Sequence, residues 1–469
     1  MQNCQEMLHD RQVKIIANEL QALHQPVSLD KSSSQSNTTR DSSYKQHTKK
    51  LSFDCLNKVL RIDKEKMVAT VEPRICMKEL VTQTLKHGLI PLVVPEFAGI
   101  TVGGAIMGCG GESNSHIHGL FHDTCIQYEL LTGSGKIIQA SHQENAELFH
   151  AITGSYGSLA LLLKADIKLA NALPFVTLNV HHFCSAEDAI HAMRTKLHQK
   201  TPPEYLEGIV FSDKHSVVIE GTMTEKPAST LFTNSANNPW YYAYIQKQHS
   251  QFSMPLFDYL FRYDRGAFWM GAYVLQPAIL KKLLLQGICK WQKPKAFTDC
   301  EIARFSQIKA PGALLNFITH PITNSQTLFK LLHACETWVN ERFIVQDFTV
   351  PEDNAAMFIE TVNKVSPIYP LWLCPIKNAP KSQLFAPHAL QGLFSINIGV
   401  YGIAHAYPSA LTHLEAKTKQ LNGRKWLYAH STYTPNQFWD MYPKSDYERL
   451  RKQYESSQTL LNIDKKVIN

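Results

Sequence analysis

The 469-residue sequence lacks several patterns that would assign a protein to a class at once. Its ten cysteines occur singly and form no CxxC pair, which argues against zinc sites and thioredoxin-like sites. No run of 18 apolar residues is present, so no membrane-spanning helix is predicted. The first residues, MQNCQEMLHDRQVK, contain no apolar segment of the kind found in secretory signals. We therefore expect free thiols in a reducing compartment and a cytoplasmic protein.

Runs of like charge are missing as well. The 47 basic and 40 acidic residues give a net charge of +7 and are scattered along the sequence, which argues against nucleic-acid binding. A modest positive charge suits an anionic cofactor or an acidic membrane surface equally well. The most apolar stretch, Ala267–Trp291, is interrupted by Pro277, Lys281 and Lys282. It is either core or pocket lining, or a peripheral contact with a membrane surface.

The length of the protein exceeds what one hydrophobic core usually supports, so two domains are expected. Up to about residue 171 the pattern predicts short strands with single helices, including a hairpin formed by Cys125–Leu131 and Ile137–Ala140. Beyond that point, strand candidates alternate with longer helices. We predict an α+β protein with domains at 1–171 and 172–469, in which about 430–469 packs back on the first domain.

Glycine is concentrated in one place. Seven of the 22 glycines fall between Gly99 and Gly119, interleaved with serine, threonine, asparagine and histidine. Bare backbone of this kind can hold a phosphate group, although a tight surface loop explains the same composition. The serine-rich segment 28–50 is either a second phosphate-contacting loop or a flexible loop.

The order of these motifs resembles the FAD-binding domain of the vanillyl-alcohol oxidase (PCMH-type) superfamily. The residues that carry the resemblance are Pro95-Glu96, the TVGGAI segment at 101–106, and the turn Gly154-Ser155-Tyr156-Gly157. The resemblance covers about residues 15–170. It implies a two-lobed FAD-binding domain followed by a substrate-binding cap domain.

Within that superfamily the pattern is most similar to delta-24 sterol reductases. The segments VPE, TVGG, IMG and GLF within 94–121 match, and YPLWLCP at 369–375 extends the match to nearly the whole sequence. Two departures concern the substrate. The sterol reductases carry an N-terminal membrane anchor that is not expected here, and acidic residues of their IDIGAYG and LYAD segments are Asn397 and His430 in this protein.

The resemblance implies that two loops, 32–39 and 101–115, hold the pyrophosphate of FAD without a covalent link. Backbone near Ile167 is expected to hold the adenine. No metal site is predicted. The predicted cofactor-binding residues are Ser34, Ser36, Asn37, Thr38, Pro95, Thr101, Gly103, Gly104, Gly108, Gly110, Gly111, Ser113, Ser115, His116, Gly119, Gly154, Ser155, Gly157 and Ile167.

The candidates for catalysis are Tyr401, His430, Asn397 and His116, with Tyr428 beside them. A hydride that leaves reduced flavin creates a carbanion or an alkoxide, which needs a proton donor such as Tyr401 or His430. His116 could form a hydrogen bond with the flavin or with the substrate. The alternative is a loop histidine that forms a hydrogen bond only with a nearby backbone carbonyl. Four aromatic residues would line an apolar pocket or belong to the core: Trp240, Phe268, Trp269 and Trp372.

The function implied by the resemblance is that of an FAD-dependent oxidoreductase. Reduced flavin would transfer a hydride to a C=C bond of a lipophilic, sterol- or isoprenoid-like substrate, with NADPH as the expected reductant. Two alternatives stay open: a flavin dehydrogenase or oxidase acting on CH–OH donors, and a flavin-binding scaffold without turnover. The oligomeric state stays open as well.

Overall fold

The structure is a computed structural model that describes residues 2–23, 25–30, 38–40, 42–275, 311–334, 339 and 341–468. The protein divides into two compact units, the first made of residues 1–172, 377–391 and 426–469 and the second of residues 173–376 and 392–425. The predicted domains at 1–171 and 172–469 leave 377–391 out of the first unit. In the structure, segment 377–391 belongs to the first unit, where its residues Gln383 and His388 form hydrogen bonds with Asp123.

The first unit is built on an antiparallel sheet. Its strands run in the order β3 (Val59–Asp63), β4 (Val68–Val71), β8 (Leu161–Asn171), β6 (Cys125–Leu131) and β7 (Ile137–Ser141), and β5 (Leu89–Pro91) pairs with β8. Strands β1 (Val27–Asp30) and β2 (Lys49–Ser52) form a separate parallel pair. The predicted hairpin is confirmed as β6 and β7, which pair from Gln127–Ser141 to Leu131–Ile137.

The helices of the first unit pack apolar stripes onto these strands. The longest, Gln2–Ala22, buries Val13, Ile16 and Leu20 against Leu51, Phe53 and other core residues, as its helical spacing predicts. The remaining helices are Met77–Leu85, Val102–Gly108, Ser115–His118, Ala146–Ala151, Pro435–Met441, Lys444–Gln453 and Asp464–Val467.

The second unit contains an eight-stranded sheet. The strand order is β12 (Phe252–Pro255), β9 (Phe175–Phe183), β11 (His215–Thr224), β10 (Tyr205–Ser212), β14 (Leu371–Lys377), β15 (Phe394–Ile403), β13 (Phe343–Pro351) and β16 (Arg424–Lys425). Both units therefore combine helices with sheets, which confirms the predicted α+β class.

The two faces of the second sheet differ in character. Helices Ala186–Leu197, Ala355–Val365 and Ser409–Gln420 cover one face through an apolar core that includes Phe348 and Ile398. Because successive side chains of a strand point to opposite faces, the neighbouring residues Asp347 and Asn397 lie on the other face. Among the described residues of this unit the remaining helices are Tyr241–Ile245, Leu256–Leu260, Met270–Val274, Ala313–Thr319 and Ser325–Ala334. None of the helices in the described part of the protein is both long and apolar enough to cross a bilayer.

Candidate functional site

The glycine-rich window contains a short helix, Val102–Gly108, where a phosphate-holding loop or a tight surface loop was predicted. Helix Val102–Gly108 begins at Thr101, whose hydroxyl accepts a hydrogen bond from the Gly104 amide at 3.1 Å. The residues Val102, Ala105 and Ile106 are buried, and their helical spacing fixes this side of the helix against the protein.

Another side of the same helix carries two glycines. Gly104 and Gly108 are four residues apart and therefore lie on one face. A Cβ atom added at Gly108 would meet only the Tyr156 hydroxyl, at 4.0 Å, and one added at Gly104 would meet only Thr101 Oγ1, at 3.1 Å. We call this side of the helix, at Gly104 and Gly108, the bare face; a flat or extended ligand can lie against its backbone, and there is room for it at Gly108.

The other glycines of the window serve the packing of the protein itself. A Cβ atom at Gly103 would lie 3.0 Å from Pro73 Cβ, and one at Gly110 would lie 2.8 Å from Pro95 Cγ. The Gly103 amide donates to the carbonyl of Pro73 at 2.8 Å, and the Gly110 amide donates to the carbonyl of Ala105 at 2.8 Å. These two amides are predicted phosphate donors, and the structure uses them in its own backbone instead.

The polar end of the window forms a buried turn. The amide of Ser113 donates to Glu112 Oε1 at 2.8 Å, and the Glu112 amide donates to Ser115 Oγ at 2.9 Å. Gly119 has a φ of +75°, and Asp123 would obstruct any side chain there. His116 is buried in this turn, with 3% of its surface exposed. Gly111 is packed in the same way, since a Cβ atom there would lie 2.6 Å from Leu120 Cδ2.

A residue that the sequence did not suggest, Arg40, lies beside the bare face. Its guanidinium carbon is 4.0 Å from the ring centroid of Tyr156, and its Nη1 donates to the carbonyl of Leu427 at 3.0 Å. Arg40 is only 8% exposed, yet no carboxylate of the described residues forms an ion pair with it. A buried charge without a counter-charge is costly, so the arrangement favours binding of an anion.

Tyr156 connects this cation to the bare face. The Arg40 guanidinium lies over the Tyr156 ring, and the Tyr156 hydroxyl is the atom closest to the position that a Cβ atom of residue 108 would occupy. Burial raises the pKa of the Tyr156 hydroxyl and outweighs the opposite effect of Arg40, so the hydroxyl stays protonated and can donate. The turn that holds it has a φ of +67° at Gly154 and +70° at Gly157, a conformation that glycine adopts without strain.

These groups fit a dinucleotide. The bare face admits a ligand against the backbone, and Arg40 with Tyr156 offers a cation and a donor for its pyrophosphate. The other predicted contacts are placed differently. Ile167 is fully buried in β8, between Ala69 and Cys125 of the adjacent strands, and Thr38 is half-buried. Ser34, Ser36 and Asn37 lie outside the described residues.

One cluster in the first unit has the composition of a metal site. His122, Asp123 and His388 place possible ligand atoms within 4.8 Å of one another. The Gln383 side chain bridges them, because its amide nitrogen donates to Asp123 Oδ1 at 2.5 Å and its oxygen lies 2.9 Å from His122 Nε2. Burial opposes ionisation of Asp123, but His122 and His388 outweigh it and lower the pKa of Asp123. The cluster is therefore a hydrogen-bonded network that fixes segment 377–391 in the first unit.

In the second unit, two predicted catalytic residues meet at an aspartate. Tyr401 donates its hydroxyl hydrogen to Asp347 Oδ1 at 2.8 Å, and the Asn397 amide donates to the same oxygen at 2.6 Å. Thr349 in turn donates to Asn397 Oδ1 at 3.2 Å. The register of β13 and β15 pairs Asp347 with Gly399, which places Asp347 between Asn397 and Tyr401 on one face of the sheet. The arrangement orients a tyrosine hydroxyl against a carboxylate, which suits proton transfer.

The predicted aromatic lining forms a packed cluster on the same sheet face. The ring centroid of Phe268 is 5.1 Å from that of Tyr401 and 5.1 Å from that of Trp372. Trp269 Nε1 donates to the carbonyl of Tyr401 at 2.9 Å. All four predicted residues, including Trp240, are at most 4% exposed. Their neighbours 267–274 are also buried, so this part of the proposed membrane contact lies in the core, and residues 276–291 lie outside the described residues.

The predicted catalytic set is divided between the two units. Asn397 and Tyr401 belong to the second unit, whereas Tyr428 and His430 belong to the first. The carbonyl of Tyr428 accepts hydrogen bonds from the amides of Thr39 and Arg40, at 3.1 and 3.4 Å. Tyr428 therefore supports the loop that carries Arg40.

Comparisons with known proteins give the same picture. Residues 16–141 match the model of the FAD binding domain family. The delta(24)-sterol reductases of Mus musculus and Homo sapiens are each 28% identical to this protein. Each alignment covers 87% of this protein, and it covers 76% of the mouse protein and 75% of the human protein. The delta(24)-sterol reductase of Arabidopsis thaliana is 26% identical and covers 86% of this protein and 74% of its own length. The predicted resemblance is thus confirmed: residues 16–141 match an FAD-binding domain, and the protein is similar over most of its length to delta(24)-sterol reductases.

Proposed function

We propose that the protein is an FAD-dependent oxidoreductase that reduces a C=C bond of a lipophilic, sterol- or isoprenoid-like substrate. The observation that carries the proposal is the similarity to delta(24)-sterol reductases, which covers 87% of the sequence and therefore extends well beyond the domain at 16–141. The relatives are named as reductases of a sterol, and a shared second unit favours a shared class of substrate.

The first unit supplies the residues for the cofactor. Arg40 and Tyr156 offer a guanidinium and a hydroxyl to the pyrophosphate, and the bare face at Gly104 and Gly108 admits the dinucleotide against the backbone. Bound FAD, once reduced, supplies the hydride that the reaction needs. We expect NADPH to be the source of electrons.

The second unit supplies a candidate proton donor. Reduction of a C=C bond adds a hydride to one carbon and a proton to the other, so the site needs an acid in contact with substrate. Tyr401 is that acid in our proposal: its hydroxyl hydrogen, which the structure shows donated to Asp347, rotates toward the substrate carbon for the transfer, while Asn397 holds the Asp347 carboxylate in place. The phenolate left behind is reprotonated from solvent, and Asp347 positions the hydroxyl for the next turnover.

Anaerobic stopped-flow spectroscopy of the purified yellow protein tests the proposal. NADPH is expected to bleach the flavin absorbance, and a sterol whose aliphatic tail contains a double bond is expected to restore it. Reduction by polyols or hydroxy acids but not by NADPH would instead favour the dehydrogenase alternative. Full flavin occupancy with no response to NADPH or to any of the substrates would favour the scaffold, and a colourless protein that takes up no FAD would refute all three flavin-dependent functions.

A further inference from the structure

Helix Ala313–Thr319 in the second unit has a polar inner face. Asn316 is 2% exposed, and its amide donates to the carbonyls of Ala236 and Asn238 at 3.1 and 2.8 Å. The Arg265 guanidinium donates to the oxygen of the same side chain. Thr319, three residues later on this face, is 7% exposed. The helix is thus anchored to the unit through hydrogen bonds rather than through apolar packing.

The outer face of the same helix is apolar. Its large side chains are exposed to 74% at Leu314, 42% at Leu315, 59% at Phe317 and 64% at Ile318, and Ile322 just beyond it is 53% exposed. A surface helix normally has the reverse arrangement, with apolar residues inside and polar residues outside. Contiguous exposed apolar surface of this kind marks a contact with another molecule or with a membrane. We refer to Leu314, Leu315, Phe317, Ile318 and Ile322 as the apolar ridge.

The charge of the surrounding sequence indicates what contacts this ridge. Residues 311–334 contain no aspartate or glutamate and include one lysine, Lys330. The 35 residues before them, 276–310, contain seven basic and two acidic residues, which is +5 of the protein's net charge of +7. An apolar surface within a basic stretch of sequence is the combination that attracts segments to bilayers with anionic lipids.

We propose that the apolar ridge docks the protein on the surface of a membrane that contains anionic lipids. The ridge inserts its leucine, phenylalanine and isoleucine side chains at the level of the acyl chains, while Asn316 and Thr319 hold the helix to the protein. This surface differs from the segment Ala267–Trp291 that sequence composition suggested. The inference does not depend on the proposed reaction, although location at a membrane would suit an enzyme with a lipophilic substrate.

Vesicle co-sedimentation of the full-length protein tests the proposal. Vesicles of phosphatidylcholine with phosphatidylserine are expected to bind the protein, and binding should weaken with phosphatidylcholine alone and with added salt. A triple variant, Leu314→Gln, Phe317→Gln and Ile318→Gln, keeps good helix formers and should bind at least about tenfold more weakly. The matched control replaces Leu231 and Met357 by glutamine, because these residues are 49% and 48% exposed elsewhere in the same unit.

Three outcomes would overturn the proposal. Wild-type protein that does not bind the anionic vesicles refutes it, and so does a triple variant that binds them as well as the wild type. A wild-type dimer that the triple variant dissociates, seen by light scattering at equal protein concentration, would instead assign the ridge to a contact between copies. Flavin content and turnover with detergent-solubilised substrate are measured in parallel, so that failure of docking and failure of the proposed function are distinguished.

Discussion

Gly108→Ala is expected to stabilise the protein without FAD and to weaken the binding of FAD. The added Cβ atom has room, because the Tyr156 hydroxyl is its only neighbour within 4 Å, at 4.0 Å. Glycine in a helix destabilises it by roughly 0.5–1 kcal/mol relative to alanine, so the free energy of unfolding of the cofactor-free protein should rise by up to about that amount.

The same methyl group acts in the opposite direction once a ligand lies on the bare face. A ligand in van der Waals contact with Gly108 must shift to accommodate it. Overpacking of a filled site costs about 1–3 kcal/mol, which corresponds to an increase in Kd of about 5-fold to about 150-fold. The two effects have opposite signs, so loss of folding cannot imitate the expected result.

The assay combines two measurements on the same preparation. Urea unfolding of the cofactor-free protein gives the stability, and fluorescence titration with FAD gives Kd. Gly103→Ala is the matched comparison, since its Cβ atom would lie 3.0 Å from Pro73 Cβ and should lower the stability. A Gly108→Ala protein that is more stable but binds FAD with unchanged Kd would refute the placement of the cofactor on this face.

Three further predictions concern other residues. Arg40→Gln removes the buried guanidinium and should raise the Kd for FAD by about 10-fold to about 150-fold, as measured by titration, whereas an unchanged Kd would contradict the anion site. Burial lowers the pKa of His9, but the hydrogen bonds that its ring donates to Glu129 and Glu72 outweigh this effect and raise that pKa above 6.5. The stability linked to protonation of His9 should therefore be complete below pH 6.5 and be lost as the pH rises through the folded-state pKa, so that the difference in free energy of unfolding between wild type and His9→Gln, measured with urea, should be smaller at high pH than at low pH. Tyr401→Phe should retain FAD and lower kcat by about 100-fold or more in single-turnover kinetics, while Tyr273→Phe, a second buried tyrosine of this unit, should not.

Much of the fold follows from periodicity alone. Val13, Ile16 and Leu20 recur at helical spacing, and the structure places them in the helix Gln2–Ala22; the predicted strands of the hairpin are β6 and β7. Local pattern is sufficient here because each element buries its own apolar face against a neighbouring element. The resemblance added the identity of the cofactor, which the family comparison confirms.

The details of the candidate site depend on contacts that no local pattern contains. Glycine content predicted a loop at 101–115, either phosphate-holding or a tight surface loop, yet tertiary packing of Val102 and Ile106 overrides the low helix propensity of glycine at 102–108. Arg40 has no motif around it, and only its burial beside Tyr156 distinguishes it from an ordinary surface arginine. Segment 377–391 returns to the first unit through Asp123, a contact across more than 250 residues of sequence.

A buried charge points to a ligand only where the protein leaves it uncompensated, and the second unit offers a comparison. Glu207 and Arg262 form an ion pair that is at most 1% exposed, and Tyr263 and Trp372 each donate to the same carboxylate at 2.9 Å. Because protein groups satisfy that ion pair, it needs no ligand, and its role is to stabilise the fold of the second unit. Arg40 is buried to a similar degree and has a tyrosine ring and one carbonyl in place of a carboxylate among the described residues. The difference between these two arginines, rather than the number of glycines nearby, is the physical reason for placing an anionic cofactor in the first unit.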